Sequence, residues 1–507
     1  MLIIDRFEKI VDLKKDKIAL VDSEKEVTFY ELRDKAKILA KKINFILKKT
    51  NQPIMVEVDR KVETIISFLA VLYSGNFYVP VNNKDPQNRI LEIKEKLGSE
   101  IGIFHKKNIF EGICDSIDFS FEGRKNYEDI NLGNILKGII DTDPAYILFT
   151  SGSTGSPKGV VISNRMVLDL IDWIIPALGI KSDYKVANQT PFYFDASVKE
   201  LALLIGAGNT IYIMEKSLFM FPIKVVEYLN DNEINVILWS VSAINLLANS
   251  RVFDLAIPNY LKIITFAGEA LSAQKLNYWQ KFIAADYFNL YGPTETTVDC
   301  CYYKVNRTFK NEETIPIGRA CENMNLMILD GDKLSDYGEL VVRGTGVSYG
   351  YYNDLEKTDK VFVQNPLNKS YPEKVYRTGD IVRLNDFGEI EFLSRKDSQI
   401  KLHGFRIEMG EIERAIFSLG VKDVICIFDK DNEKIVAIYS GDEIPKNKFR
   451  KELKNLIPAY MIPEIFINLE DLPKTSNTKV DRKKLEKDYY KKWIEKKLEK
   501  DYYNGKI

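Results

Sequence analysis

Apolar residues recur along this chain at two alternating periods. From Phe29 to Leu47 they follow helical spacing, Ile54 to Val58 forms a short β-branched run, and Val62 to Leu72 returns to the helical period. The succession repeats later: a helix is expected over Lys199–Ile205, a strand over Thr210–Met214, a helix over Val225–Asn230 and a strand over Asn235–Trp239. Strands alternating with helices build parallel sheets covered by helices, so the expected class is α/β.

Beyond about residue 330 the texture turns to short strands and turns, with Gly338–Arg343 and Gly388–Phe392 reading as hairpin arms of a small barrel-like β part. After Asp397 a strand restarts, followed by a helix over Met409–Ser418 and a strand over Val424–Phe428, the makings of a small α+β domain. Three segments are therefore expected: a large N-terminal core over 1–396, a small C-terminal domain over 397–482, and a charged helical tail over 483–507. In that tail the eight residues from Lys483 to Tyr490 recur from Lys496 to Tyr503, which reads as a solvated charged helix.

Composition narrows the function. With 507 residues, 45% of them apolar, the chain can build more than one core. Its 72 basic and 73 acidic residues nearly cancel, so no overall field favours nucleic acid. The longest apolar runs, such as Ile65–Leu72, fall well short of a membrane span, and no membrane insertion is expected. Charges at Asp5, Arg6 and Glu8 interrupt any secretory signal. Five irregularly spaced cysteines make no disulfide framework, which points to a reducing cytoplasm. Only His105 and His403 are present, neither near a nucleophile motif, so the chemistry is expected to rest on positioning and charge.

The strongest chemical signal is the stretch Tyr146-Ile-Leu-Phe-Thr-Ser-Gly-Ser-Thr-Gly-Ser-Pro-Lys-Gly159. An apolar strand runs into a loop whose glycines let main-chain N–H groups turn towards an anion. Thr150, Ser151, Ser153 and Thr154 add hydroxyl donors around Gly152 and Gly155, and Lys158 adds charge. It is not a P-loop, because Pro157 stands where the second glycine belongs and Gly159–Ser163 reads as a strand, not a helix. Kinase and GTPase readings lose ground.

Further segments join this loop in order: Val27-Thr-Phe-Tyr-Glu-Leu32, Tyr73–Pro80, Phe194-Asp-Ala-Ser197, Asn289-Leu-Tyr-Gly-Pro-Thr-Glu295, Gly338–Tyr351, Tyr376-Arg-Thr-Gly-Asp380, Arg395–Glu413, Ile457–Pro463 and Asn477–Arg482. Together, over nearly the whole chain, they resemble the adenylate-forming superfamily, specifically the amino-acid adenylation domains of nonribosomal peptide synthesis and the related D-alanine carrier-protein ligases. The resemblance implies ATP and Mg2+, and a mobile C-terminal lid turning about a hinge at Asp397.

It also implies roles. Lys479 would touch the reacting carboxylate and the α-phosphate, where at about 4 Å and a dielectric near 20 one charge is worth up to about 4 kcal/mol, roughly a thousandfold in rate. Glu295 would bind magnesium as a hard oxygen ligand, Thr294 would hydrogen-bond phosphate and Tyr291 would stack on adenine. Asp380 would accept the ribose hydroxyls and Arg395 would also touch the ribose. Gly268, Glu269, Asn289 and Gly292 complete the nucleotide set.

Asp195 would pair with the α-amino group of an amino-acid substrate, since a buried carboxylate needs either that ammonium or an internal donor. The side-chain pocket would be lined by Ala196, Lys199, Ser240, Thr265, Ala267, Leu290 and Val298. Lys199 could pair with an acidic substrate, as in some glutamate-activating relatives, but the expectation favoured is that it snorkels from its helix to solvent. Two departures, Ser394 before Arg395 and Thr478 before Lys479, replace usual glycines and bear on loop flexibility.

The expected activity is ATP-dependent formation of an aminoacyl-AMP, then transfer to the phosphopantetheine thiol of a carrier protein supplied in trans, because no Ser-bearing carrier motif follows residue 482. A D-alanine ligase serving a cell-envelope polymer is the nearest alternative, although Ala196 and Ala267 stand where leucine and cysteine are usual there. An acyl-CoA ligase is disfavoured by Asp195. A silent amino-acid or nucleotide sensor is disfavoured by Lys158, Glu295, Asp380 and Lys479 together.

Overall fold

The computed structural model describes residues 1–106, 108–119, 126–151, 157–397, 399–402, 405–430, 432–474, 480–482 and 484–491. Two compact units divide the chain, one comprising Met1–Asn83, Ile90–Thr150 and Lys158–Asp397, the other Lys84–Arg89, Ser151–Pro157 and Ser398–Ile507.

In the first unit the alternating pattern produces two largely parallel sheets. One has nine strands in the order Arg319–Ala320, Cys301–Lys304, Asp286–Tyr291, Ile263–Ala267, Val236–Ser240, Lys185–Asn188, Thr210–Ile213, Ile18–Val21 and Glu26–Thr28. Its pairs are parallel from Asp286–Tyr291 to Ile18–Val21, and antiparallel strands close both edges. The other has six strands in the order Asp115–Asp118, Ile101–Phe104, Pro53–Val58, Phe77–Asn82, Pro144–Thr150 and Lys158–Ser163, with only the last pair antiparallel.

One apolar core is shared by both sheets and by the helices Val62–Tyr73, Asn164–Leu178 and Val198–Ala207. All eight residues from Val198 to Ile205 are buried, as befits a helix covered on every side. The helix Phe29–Leu47 begins where its sequence dictates: Thr28 accepts from the Glu31 N–H while Glu31 accepts from the Thr28 N–H, a capping box that satisfies two helix-end donors.

The turn-rich part is an antiparallel sheet ordered Lys333–Leu334, Met324–Asp330, Tyr337–Gly344 and Lys374–Leu384, with Phe362–Gln364 and Ile390–Arg395 both pairing to Lys374–Leu384. The expected hairpin arms thus flank one long shared strand.

The second unit holds the hairpin strands Gln399–Leu402 and Phe405–Glu408, the helices Met409–Phe417 and Lys446–Leu453, and a sheet of Asp423–Asp429, Lys434–Ser440 and Ile465–Leu469. Ile412, Ile416, Cys426, Ala437 and Phe449 pack in its core. Among the described residues no helix is long and apolar enough to cross a membrane. The second copy of the duplicated tail sequence, from Lys496, lies outside the described residues.

Candidate active site

The hydroxyl-rich loop leaves the strand Pro144–Thr150 and returns through Lys158–Ser163, with Thr150 opposite Lys158 in the ladder. The strand expected after the lysine is present, which removes the helix a P-loop requires. Gly152, Ser153, Thr154 and Gly155 lie outside the described residues, as does Lys479. Thr150 Oγ1 is buried without a hydrogen-bond partner among the described residues, an orphaned donor of the kind an anion satisfies. The Ser151 hydroxyl donates to the Arg406 carbonyl at 2.8 Å and accepts from the Glu408 N–H at 3.2 Å.

A second group of expected residues gathers after the strand Asp286–Tyr291. Glu295 sits in the turn Thr294–Thr296 and is completely buried. Tyr351 donates its phenol hydrogen to Glu295 Oε1 at 2.8 Å, and the same ring lies 5.2 Å from Lys158 Nζ. Among the described residues no group of three acidic, histidine or cysteine side chains could hold a metal by itself. One carboxylate is enough for magnesium, which is commonly held by one or two carboxylates together with substrate phosphates.

Tyr291 donates to Asp380 Oδ2, and Arg395 Nη1 donates to Asp380 Oδ1 at 2.6 Å. Burial first, and then the Asp380 charge, push the Tyr291 phenol well above its usual range, so it stays a donor. Arg395 also grips Asp397 with two parallel bonds, Nε to Oδ1 at 2.8 Å and Nη2 to Oδ2 at 2.9 Å. Of the remaining nucleotide set, Asn289 donates to the Pro316 carbonyl at 2.8 Å, Ser242 donates weakly to Glu269 at 3.4 Å, and Gly268 has φ +96°.

Two contacts join the segment 195–199 to the segment 294–299. Thr294 Oγ1 donates to Asp195 Oδ2 at 2.5 Å, a charge-assisted hydrogen bond to a half-buried carboxylate. Lys199 Nζ lies 3.3 Å from Asp299 Oδ2, with 1% and 3% of the side chains exposed. The expectation that Lys199 snorkels to solvent is therefore wrong. The helix bearing it is buried all round, so the stem does not reach the surface, and Asp299 supplies the counter-charge.

Four of the seven residues expected to line the pocket share a sheet face because of strand register. Ser240 pairs with Ala267 and Ala267 with Leu290, so three of the seven form one row across parallel strands. Thr265 lies two residues before Ala267, on the same face, and its buried hydroxyl has no hydrogen-bond partner among the described residues. Thr297 and Val298 both have positive φ, 57° and 76°, which β-branched residues avoid at a cost of about 1–3 kcal/mol each. The turn is held where it is: Thr297 Oγ1 donates to the Gly346 carbonyl at 2.7 Å, and a Cβ on Gly292 would stand 2.4 Å from the Val298 carbonyl oxygen.

Sequence reasoning missed Asp299, Tyr351 and the strained Thr297–Val298 turn. Asp299 was within reach, being the next residue after a predicted pocket member and the nearest acid to the predicted site on that segment.

A family model described as AMP-binding enzyme matches residues 7–352. Zwittermicin A synthase ZmaJ of Bacillus cereus is 31% identical over 505 residues, covering 94% of this chain and 93% of that one. Tyrocidine synthase 1 of Brevibacillus parabrevis is 30% identical, and the match covers 94% of this chain but 44% of the relative. In three dimensions the chain is similar to an artificially fused adenylation–PCP di-domain, NpsA-ThdA, from Klebsiella oxytoca. That match has a TM-score of 0.80 and 22% identity, and covers 92% of this chain and 93% of the other, a likeness of fold.

Proposed function

Because the chain belongs to the AMP-binding enzymes, as an AMP-forming ligase of the amino-acid adenylation type that activates an acid with ATP, we propose that its substrate is an α-amino acid and that a carrier protein receives the product. The carboxylate oxygen of the amino acid attacks the α-phosphorus, the bond to the bridging oxygen breaks, and pyrophosphate departs. The thiol of a phosphopantetheine arm then displaces AMP from the aminoacyl-adenylate, giving a thioester.

The observation that carries this reading is the Asp195 carboxylate, held by the Thr294 hydroxyl 2.5 Å away. An incoming ammonium would take over Asp195, and the released hydroxyl would be available to phosphate, so one contact serves both substrates in turn. Glu295 would hold magnesium, which neutralises phosphate charge when bound. Lys158 would clamp the pyrophosphate, Asp380 and Arg395 the ribose, and Lys479 the reacting oxygens. Asp397, the last residue of the first unit, would serve as hinge. The site is read as cytoplasmic.

ATP–pyrophosphate exchange with each D- and L-amino acid in turn tests this. One or a few amino acids should drive exchange, and silence across the whole panel would refute it. Exchange with D-alanine alone would select the D-alanine ligase alternative.

A further inference from the structure

Tyr351 joins two groups of the candidate ATP site that sit far apart in the sequence. The residue is buried, its N–H donates to Thr358 Oγ1 at 2.9 Å, and it bridges Val160 next to the strand start at Lys158. Its ring packs edge-on against Phe362 with centroids 5.8 Å apart. The ring is thus fixed by backbone pairing, a hydroxyl and an aromatic neighbour before it meets either charged group. Its hydroxyl then reaches Glu295 Oε1 at 2.8 Å, and its ring lies 5.2 Å from the Lys158 ammonium.

We propose that Tyr351 is a positioning residue of the ATP site, aiming the Glu295 carboxylate at magnesium and seating the Lys158 ammonium beside the departing pyrophosphate. The proposal rests on the reading of the site as an ATP site. A carboxylate rotates over a broad, nearly two-fold torsional well, and one charge-assisted hydrogen bond from a rigid donor fixes its plane. A phenol does this without bringing a charge of its own, so the carboxylate keeps its attraction for a cation. An aromatic face likewise attracts an ammonium without cancelling its charge as a carboxylate partner would. Lys158 is 7% exposed and Glu295 fully buried, so neither could be held in place by solvent alone.

Two variants of the full-length protein separate the two halves of the role. Tyr351→Phe keeps the ring and removes the hydroxyl; Tyr351→Leu removes both. Mn2+ binding in the presence of a non-hydrolysable ATP analogue, read by electron paramagnetic resonance of the free ion, should weaken on the order of tenfold in Tyr351→Phe. Binding of the analogue without metal, in EDTA, should be unchanged in Tyr351→Phe and several-fold weaker in Tyr351→Leu. Circular dichroism and the thermal midpoint establish that both variants fold, and a Tyr351→Phe protein that folds but binds Mn2+ as tightly as wild type overturns the aiming role. Equal analogue affinity for wild type and Tyr351→Leu in EDTA overturns the seating role. Wild-type protein that binds neither the analogue nor its manganese complex overturns the ATP-site reading itself, a failure distinct from either of these.

Discussion

The Lys199 ammonium and the Asp299 carboxylate face each other at 3.3 Å, nearly sealed from solvent, on segments a hundred residues apart. Removing one partner leaves the other charged and buried. Asp299→Ala should therefore destabilise the protein by about 3–5 kcal/mol, while the double change Lys199→Met with Asp299→Leu should recover most of that loss. Denaturant midpoints of the two single variants and the double variant check this, and equal losses in all three would contradict it.

Glu200, next to Lys199 on the same buried helix, carries the clearest pH signature. Burial raises its carboxyl from the usual 4.5 to about 8, against the opposing pull of Lys199. Its folded value exceeds its unfolded one, so the folded state binds the proton more tightly. The resulting stability is full below about pH 4.5 and is lost as pH rises towards 8, amounting to at most about 5 kcal/mol. Thermal midpoints from pH 5 to 9 should show wild type losing ground to Glu200→Gln with rising pH; parallel profiles would remove the assignment.

The helix Phe29–Leu47 was legible from its apolar spacing; in the structure the Thr28–Glu31 capping box starts it and Lys48, at positive φ, ends it. Ser240, Ala267 and Leu290 were named only through the family resemblance, and strand register is what sets them in one row. Lys199 was misjudged because its counter-ion is remote in sequence, although the apolar run around it already argued for burial on every side. The Thr297–Val298 turn was invisible, since β-branched residues are the last expected at positive φ. Tyr351 closed a recognised segment, but its role did not show, because both of its charged neighbours come from other segments.

Gly292 has no room for a side chain. Alanine there would press a Cβ against the Val298 carbonyl, and the turn bearing Glu295, Val298 and Asp299 would have to move. A loss of about 1–3 kcal/mol is expected. Michaelis constants for amino acid and ATP should rise together, which exchange kinetics at varied concentrations of each will show.

Arg395 divides its guanidinium between Asp380 and Asp397. Lysine retains the charge but not the planar fork. Arg395→Lys should raise the Michaelis constant for ATP roughly tenfold or more, the value of one charged hydrogen bond, with little effect on that for the amino acid. A rise confined to the amino acid would place Arg395 elsewhere in the reaction.

On the proposed function, Asp195 receives the ammonium of an α-amino acid. Exchange kinetics with the best amino acid and with its analogue lacking the amino group test it most directly, in wild type and in Asp195→Ala. Wild type should prefer the amino acid by on the order of a hundredfold or more in kcat/KM, and Asp195→Ala should lose most of that preference. If wild type uses both acids equally well, or if Asp195→Ala keeps the full preference, Asp195 does not hold the ammonium and the claim falls.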